Sequence, residues 1–467
     1  MAEQRVERAD VVVVGGGVSG LATAYFLRRA LGPEATLRVL EADEAPGGKV
    51  RTTPLAGHPV DTGPDAFLSR APELRQLIED LGLADAVVEP LGGGAYVWSR
   101  GRLRPLPPGM AFGLPERLVP LLRSGLLSPR DTLRAGLDLA LPATRLPEDP
   151  SVAELVRPRF GRGVYDRLVT PLLGGVHAGD PARLSATSTV PEIAALARSG
   201  RSVYLTMRRR RRAAPRPTGR PTAPLVSLAG GMGRLTTALR DGLPSTVETG
   251  VHARRVERTG SGLRVVTDGG AHETGQVVLA TPAYAAADLL ADLAPALAAE
   301  LRAIPYVDVA NATLAFPADV AAHLPPGTGF LVPPVEGRLI VGCTWLTQKW
   351  PHLAGHDVLL VKSMVGRSGD TRWLSMTDDQ LVEAVRGELR EVLGITEPPL
   401  EQLVQRWPQA MPQYVVGHAA RLARIDAALA ELPGLALTGA AYRGVGLAGC
   451  VAQASATAAR LSEGVPA

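Results

Sequence analysis

The sequence predicts an α/β protein: a Rossmann-like nucleotide-binding domain split along the chain, with a mainly helical insertion and a mixed-sheet second domain. Three observations predict it. Residues 10–14 form a valine-rich run, a buried parallel strand by pattern, that feeds Gly15-x-Gly17-x-x-Gly20 and then a helical stretch, LATAYFLRRAL. A second short apolar run, ATLRVLE, ends in Glu41, twenty-one residues after Gly20. A third, VVLATPA at 277–283, lies far downstream, so distant parts of the chain complete the sheet.

The first strand and its turn have a defined physics. Gly15 makes the tight turn, Gly17 lets backbone approach a pyrophosphate, and Gly20 lets helix and strand pack closely. Gly16, Val18 and Ser19 lie in the same turn, where the helix N-terminus stabilises phosphate charge. Glu41, followed by Ala42, is placed to accept ribose hydroxyls. After it come Gly47-Gly48-Lys49-Val50-Arg51-Thr52 and DTGPDAF, residues 61–67. Further on, Gly230 to Leu239 reads as a loop and helix, and 246–258 alternates as a strand. The segment TGAAYRGVGLAGC at 438–450 carries glycines at 439, 444, 446 and 449, a backbone that something must approach closely. Between these segments, residues 89–221 read mainly helical and 287–403 mix strands and helices. The expected division is therefore 1–88, 222–286 and 404–467 for the nucleotide domain, 89–221 for the helical insertion, and 287–403 for a substrate domain.

Composition excludes several classes. The chain has 467 residues, 46% of them hydrophobic, enough for a large core. Its net charge of +4 makes no case for nucleic acid. Lysine occurs only at Lys49, Lys349 and Lys362, and arginine supplies the rest of the 50 basic residues. Cys343 and Cys450 form neither a disulfide framework nor a CxxC pair. His352 and His356 are four apart with Gly355 between them and no carboxylate at metal spacing, so no metal is expected. The N-terminus, MAEQRVERAD, does not read as a secretory signal, and no eighteen apolar residues run uncharged. A cytoplasmic location without a transmembrane segment is expected, with residues 110–141 as the place for any peripheral membrane contact. The basic stretch at 207–224, MRRRRRAAPRPTGRPTAP, reads as a mobile exposed loop.

The GG-x-x-R-T segment after the acid, together with the terminal glycine motif, resembles the flavin amine oxidase superfamily. More specific blocks follow in order: TPLLGGVHAGDPARLSATSTVPEI, GTGFLVPPVEGRLIVGCTWLTQKWPH, VGRSGD and RWPQAMPQYVVGH. These resemble the HemY-type bacterial porphyrinogen oxidases along nearly the whole chain. The resemblance implies an FAD-dependent oxidation of coproporphyrinogen III to coproporphyrin III, in three two-electron rounds with molecular oxygen as acceptor and peroxide released. It also implies a place in haem biosynthesis, with hand-over to a ferrochelatase-type enzyme. Protoporphyrinogen IX oxidation and another flavin amine oxidase activity stay open as alternatives. By the resemblance, the FAD contacts are the fingerprint residues above with Gly48, Lys49, Gly63, Pro64, Asp65, Ala66, Val251, Trp407, Gly439, Val445, Gly446 and Leu447. Many relatives carry an acid where this chain has Ala440. No cysteine is near Trp407 in sequence, so the flavin is expected to be non-covalent. Arg70, Lys349 and Arg443 are candidates for substrate propionates in an arginine-lined cleft. The amine-oxidase lysine near the flavin is missing from IPYVDVANATLAFP at 304–317, and no acid or base is assigned, because a porphyrinogen carbon gives up hydride to flavin readily once positioned.

Overall fold

The computed structural model describes residues 6–463 except 109, 112, 116, 214–222 and 261. The four valines Val11–Val14 lie at the centre of a seven-stranded sheet and alternate between two cores. Val11 and Val13 pack with helices Val18–Leu31 and Leu447–Ser462, while Val12 and Val14 pack with Ala283–Leu289, Pro295–Arg302 and His418–Ala430. A strand covered on both faces reads as a continuous apolar run rather than an alternating one. The sheet runs Val247–Glu248, Leu37–Leu40, Val6–Val14, Gly270–Leu279, Leu263–Thr267, Ala253–Arg258, with the first four strands parallel. The far edge of Gly270–Leu279 is shared. Its first half pairs antiparallel with Leu263–Thr267, and its last three residues pair parallel with Leu435–Leu437.

A second seven-stranded sheet has the order Glu401–Pro412, Tyr306–Pro317, Val358–Val365, Ile340–Trp345, Gly329–Leu331, Tyr96–Ser99, Arg102–Pro105. Two expectations differ here. The strand Glu401–Pro412 pairs with Tyr306–Pro317 along its length, so the sequence boundary at 404 falls inside one strand of this sheet. The stretch from 89 also opens with a hairpin, not a helix. Tyr96–Ser99 and Arg102–Pro105 are joined by Arg100 and Gly101, both at positive φ (53° and 77°), the geometry that two-residue hairpins need.

Helices follow from Leu118 onward. Ser151 and Glu154 close a capping box on Val152–Val164, and the buried Arg159 pairs with Asp138 at 2.6 Å. Residues 110–141 contain the short helices Leu118–Ser124 and Pro129–Gly136, which leave Val119, Leu122 and Leu133 exposed. No helix among the described residues is long and apolar enough to cross a membrane. The arginines 208–212, expected in a loop, continue the helix Val203–Ala213. Arginine is a good helix former, and Val203 and Met207 bury one side of that helix; residues 214–222 of the expected loop lie outside the described residues.

Candidate functional site

Both long helices that flank the central strand start at one cavity of about 500 Å³. Val18 and Ser19 at one N-terminus, and Val445, Gly446 and Leu447 at the other, line it. Neither helix has a side-chain cap: the N-cap residues are Gly17 and Gly446. The backbone N–H groups of Ala440, Val445 and Gly446 find no acceptor within the described chain. Unsatisfied donors at two converging helix ends make an anion-binding surface.

The glycines divide by what stands next to them. A Cβ on Gly20 would sit 1.9 Å from Gly15 O, so this position is closed by helix–strand packing. Gly15 itself is at φ 105°, a conformation side chains avoid. A Cβ on Gly17 meets nothing nearer than Gly48 Cα at 4.0 Å, and one on Gly439 nothing nearer than Ser19 Oγ at 3.8 Å. Those two positions are open to a ligand. Glu41 Oε2 accepts from Gly16 N at 2.7 Å and Oε1 accepts from Asp43 N at 2.9 Å, so the acid braces the turn. Val251 N donates to Glu41 O at 2.9 Å. Gly15, Gly16, Gly17, Gly20, Glu41, Ala42, Gly48 and Val251 are thus behind or beside the cavity lining. Lys49, Gly63, Pro64, Asp65, Ala66, Trp407 and Gly439 are in it.

The second sheet grips the cavity through one turn. Three successive carbonyls are each claimed by its side chains. Lys362 Nζ donates to Asp61 O at 2.7 Å and Gly63 O at 2.6 Å, while Asn311 Nδ2 and Trp407 Nε1 donate to Thr62 O at 2.7 and 3.0 Å. Lys362 is 5% exposed, and burial pushes its ammonium down from the usual lysine range, opposed by Asp65 and Asp61. Burial also pushes Asp61 up, to about 6, against hydrogen bonds from Thr52 and Met232 and the charge of Lys362. Asp65 is the opposite case. Burial would raise it, but Lys349 and Lys362 and the hydrogen bonds from Lys349 (2.9 Å) and Trp350 (3.1 Å) hold its carboxyl below the ordinary range. Lys49 lines the cavity with no carboxylate partner among the described residues, and burial lowers it.

All three lysines of the chain therefore line this cavity, while no arginine does among the described residues. The expected arginine-lined cleft is instead a lysine-lined one. Lys349 is in place, its charge shared with Asp65. Arg443 is exposed and paired with Asp426, and Arg70 is exposed; neither lines the cavity. Sequence reasoning missed Lys362, which comes from the strand next to 304–317, and Asn311, which lies within it. The signal available was the rarity of lysine. A compact ammonium fits between two carbonyls of one turn where a planar guanidinium does not. Cys450 also lines the cavity, and burial pushes its thiol up, against Ser19 and the charge of Lys49, which disfavours the thiolate. Glu7, Glu248 and His272 cluster elsewhere, with Arg38 Nε 3.1 Å from Glu248.

Residues 18–462 match the family profile of flavin containing amine oxidoreductases. The chain is 33% identical over 457 residues to the coproporphyrinogen III oxidase of Bacillus subtilis (strain 168), covering 96% of this chain and 97% of that protein. It is 37% identical over 446 residues to the coproporphyrinogen III oxidase of Mycobacterium tuberculosis (strain H37Rv), covering 95% of each. A solved structure from Exiguobacterium sp. 255-15 superposes with a TM-score of 0.88 at 32% identity, over 98% of this chain and 99% of that one.

Proposed function

We propose, on the premise that this chain belongs to the flavin-containing amine oxidoreductase family, that it oxidises coproporphyrinogen III to coproporphyrin III with bound FAD. The observation that carries the cofactor is the pair of uncapped helix N-termini opening onto one cavity beside two glycines with free space over them. Gly17 and the first turn of Val18–Leu31 would hold the pyrophosphate, with Lys49 offsetting its charge. Glu41 would accept the ribose hydroxyls while keeping its brace on Gly16. The second helix N-terminus, at Val445–Leu447, would stabilise negative charge at the flavin's pyrimidine edge. A water or a backbone group would take the place of the carboxylate that Ala440 lacks.

Bound flavin supplies the acceptor for hydride. Six hydrogens leave the porphyrinogen in three two-electron rounds, and each round returns one dioxygen as hydrogen peroxide. This chain's part is to place the macrocycle and exclude water. Gly174, Gly175 and Val176 on helix Thr170–His177, with Met364 on the second sheet, supply an apolar wall. Lys349 and Lys362 supply positive charge for propionates, tempered by Asp65. The Asp61–Gly63 turn is the joint between the nucleotide and substrate halves, and the domain division we favour gives strand 401–412 to the substrate half. The flavin is held without a covalent bond. The purified protein is expected to be yellow and to release FAD into the supernatant on heat denaturation; flavin retained in the pellet, or no flavin, would contradict this.

A further inference from the structure

The loop that leads into helix Leu447–Ser462 is held from behind by two stacked rings. The hydroxyl of Tyr414 donates to Ala440 O at 2.7 Å and accepts from Gly444 N at 2.7 Å, so one atom closes both ends of the loop. The His418 ring lies against Tyr414, with centroids 4.1 Å apart and planes at 12°. Its Nε2 is 3.0 Å from Tyr442 O. A carbonyl only accepts, so this nitrogen carries the proton. Tyr414, His418 and Tyr442 are all buried. Tyr414 is itself anchored, because Ser185 N donates to its carbonyl at 2.8 Å.

We infer that Tyr414 and His418 are positioning residues for the flavin, setting where the Val445–Leu447 backbone stands and thereby tuning flavin affinity and reduction potential. This rests on the FAD reading above. Gly439 and Gly444, at φ 130° and 131°, leave the loop backbone free to adopt many conformations unless something selects one. Ala440 has no carboxyl that does so. The two rings tie down Ala440 O, Tyr442 O and Gly444 N, and the N–H groups of Ala440, Val445 and Gly446 are left for the ligand. A helix terminus acts on charge only within its first turn, so a small displacement of Gly446 weakens its effect on the flavin.

The test uses Tyr414→Phe, His418→Leu and His418→Gln. FAD dissociation constants come from titrating the flavin-free protein, and the two-electron potential from dye equilibration of the reconstituted enzyme. Tyr414→Phe and His418→Leu should each weaken FAD about tenfold, or ~1.4 kcal/mol, and shift the potential to more negative values. His418→Gln, whose amide N–H can still donate to Tyr442 O, should restore both. A purely structural role would lower stability yet leave the potential of bound flavin unchanged, and that result overturns the inference. So would wild-type affinity and potential in both disrupting variants. If Tyr414→Phe does not fold, the two His418 variants decide between the same outcomes. A wild-type chain that binds no FAD overturns the functional reading and the inference with it.

Discussion

Gly17 and Gly20 are three residues apart in one motif, and the structure assigns them opposite kinds of work. A Cβ at Gly20 would lie 1.9 Å from Gly15 O, where contact distances are well above 3 Å. Backbone of strand or helix must move by more than an ångström, and overpacking of that kind costs ~1–3 kcal/mol or more. A Cβ at Gly17 has 4.0 Å of clearance to the nearest chain atom, and the residue's φ of −70° suits any side chain. Gly17→Val should therefore leave the flavin-free protein folded, with a stability change within ~1 kcal/mol, the scale of an N-cap substitution. Its branched side chain fills the space assigned to the pyrophosphate. Losing two charge-assisted hydrogen bonds there, at ~1.5–3 kcal/mol each, weakens FAD roughly a hundredfold or more. Gly20→Ala should instead destabilise the flavin-free protein outright. Urea unfolding of both flavin-free variants, with FAD titration of each that folds, makes the comparison. A Gly17→Val protein that binds FAD like wild type would refute the placement of the pyrophosphate. A Gly20→Ala protein as stable as wild type would refute the packing argument.

Other outcomes follow from single side chains. Glu41→Ala removes both the brace on Gly16 N and the ribose acceptor, and should raise the FAD dissociation constant at least about tenfold; an unchanged constant in a fluorescence titration would remove Glu41 from the site. Lys362→Met leaves two carbonyls of the 61–63 turn unpaired and Asp65 with Lys349 alone, so a loss of ~3–5 kcal/mol in urea unfolding is expected. Asp65→Asn added to it should recover part of that loss, and strict additivity would show that the two groups do not interact. Burial pushes His177 down to about 4 from 6.5, so its contribution to stability is complete above pH 6.5 and lost as pH falls towards 4. His177→Leu abolishes that dependence, so the variant should gain ~3 kcal/mol on wild type between pH 7 and 4; a pH-independent difference would contradict the burial argument.

Local chemistry was legible in the sequence, and long-range pairing was not. Four valines, three spaced glycines and an acid twenty-one residues later specify a strand, a turn and a helix through sterics within one short segment, and the structure builds those elements there. The glycines of the terminal segment point to backbone that something approaches closely, and the segment lines the same cavity from the far end of the chain. The hairpin at 96–105 carries no clear sequence signal, because its turn residues, Arg100 and Gly101, are not the usual asparagine–glycine pair. The arginine run at 208–212 looks like a loop because of its proline-rich sequel, whereas buried Val203 and Met207 on its own side settle it as a helix. Lys362 was invisible for another reason: its partners are main-chain carbonyls 299 and 301 positions away, and backbone carbonyls have no sequence signature. Arg443 looked like a substrate contact because it sits inside a ligand-lining motif, yet its side chain turns to Asp426 at the surface.

The most direct test of the account is the initial rate of porphyrin fluorescence with coproporphyrinogen III and protoporphyrinogen IX, in parallel, under matched detergent and with oxygen uptake recorded. Four propionates give the first substrate two more carboxylates than the second, and a substrate side whose cations are Lys349 and Lys362, tempered by Asp65, favours the more anionic ring. Expected are a higher kcat/KM for coproporphyrinogen III, three dioxygen consumed per porphyrin formed, and a preference that weakens as salt rises. Equal or better turnover of protoporphyrinogen IX, or porphyrin formation without oxygen uptake, would contradict it.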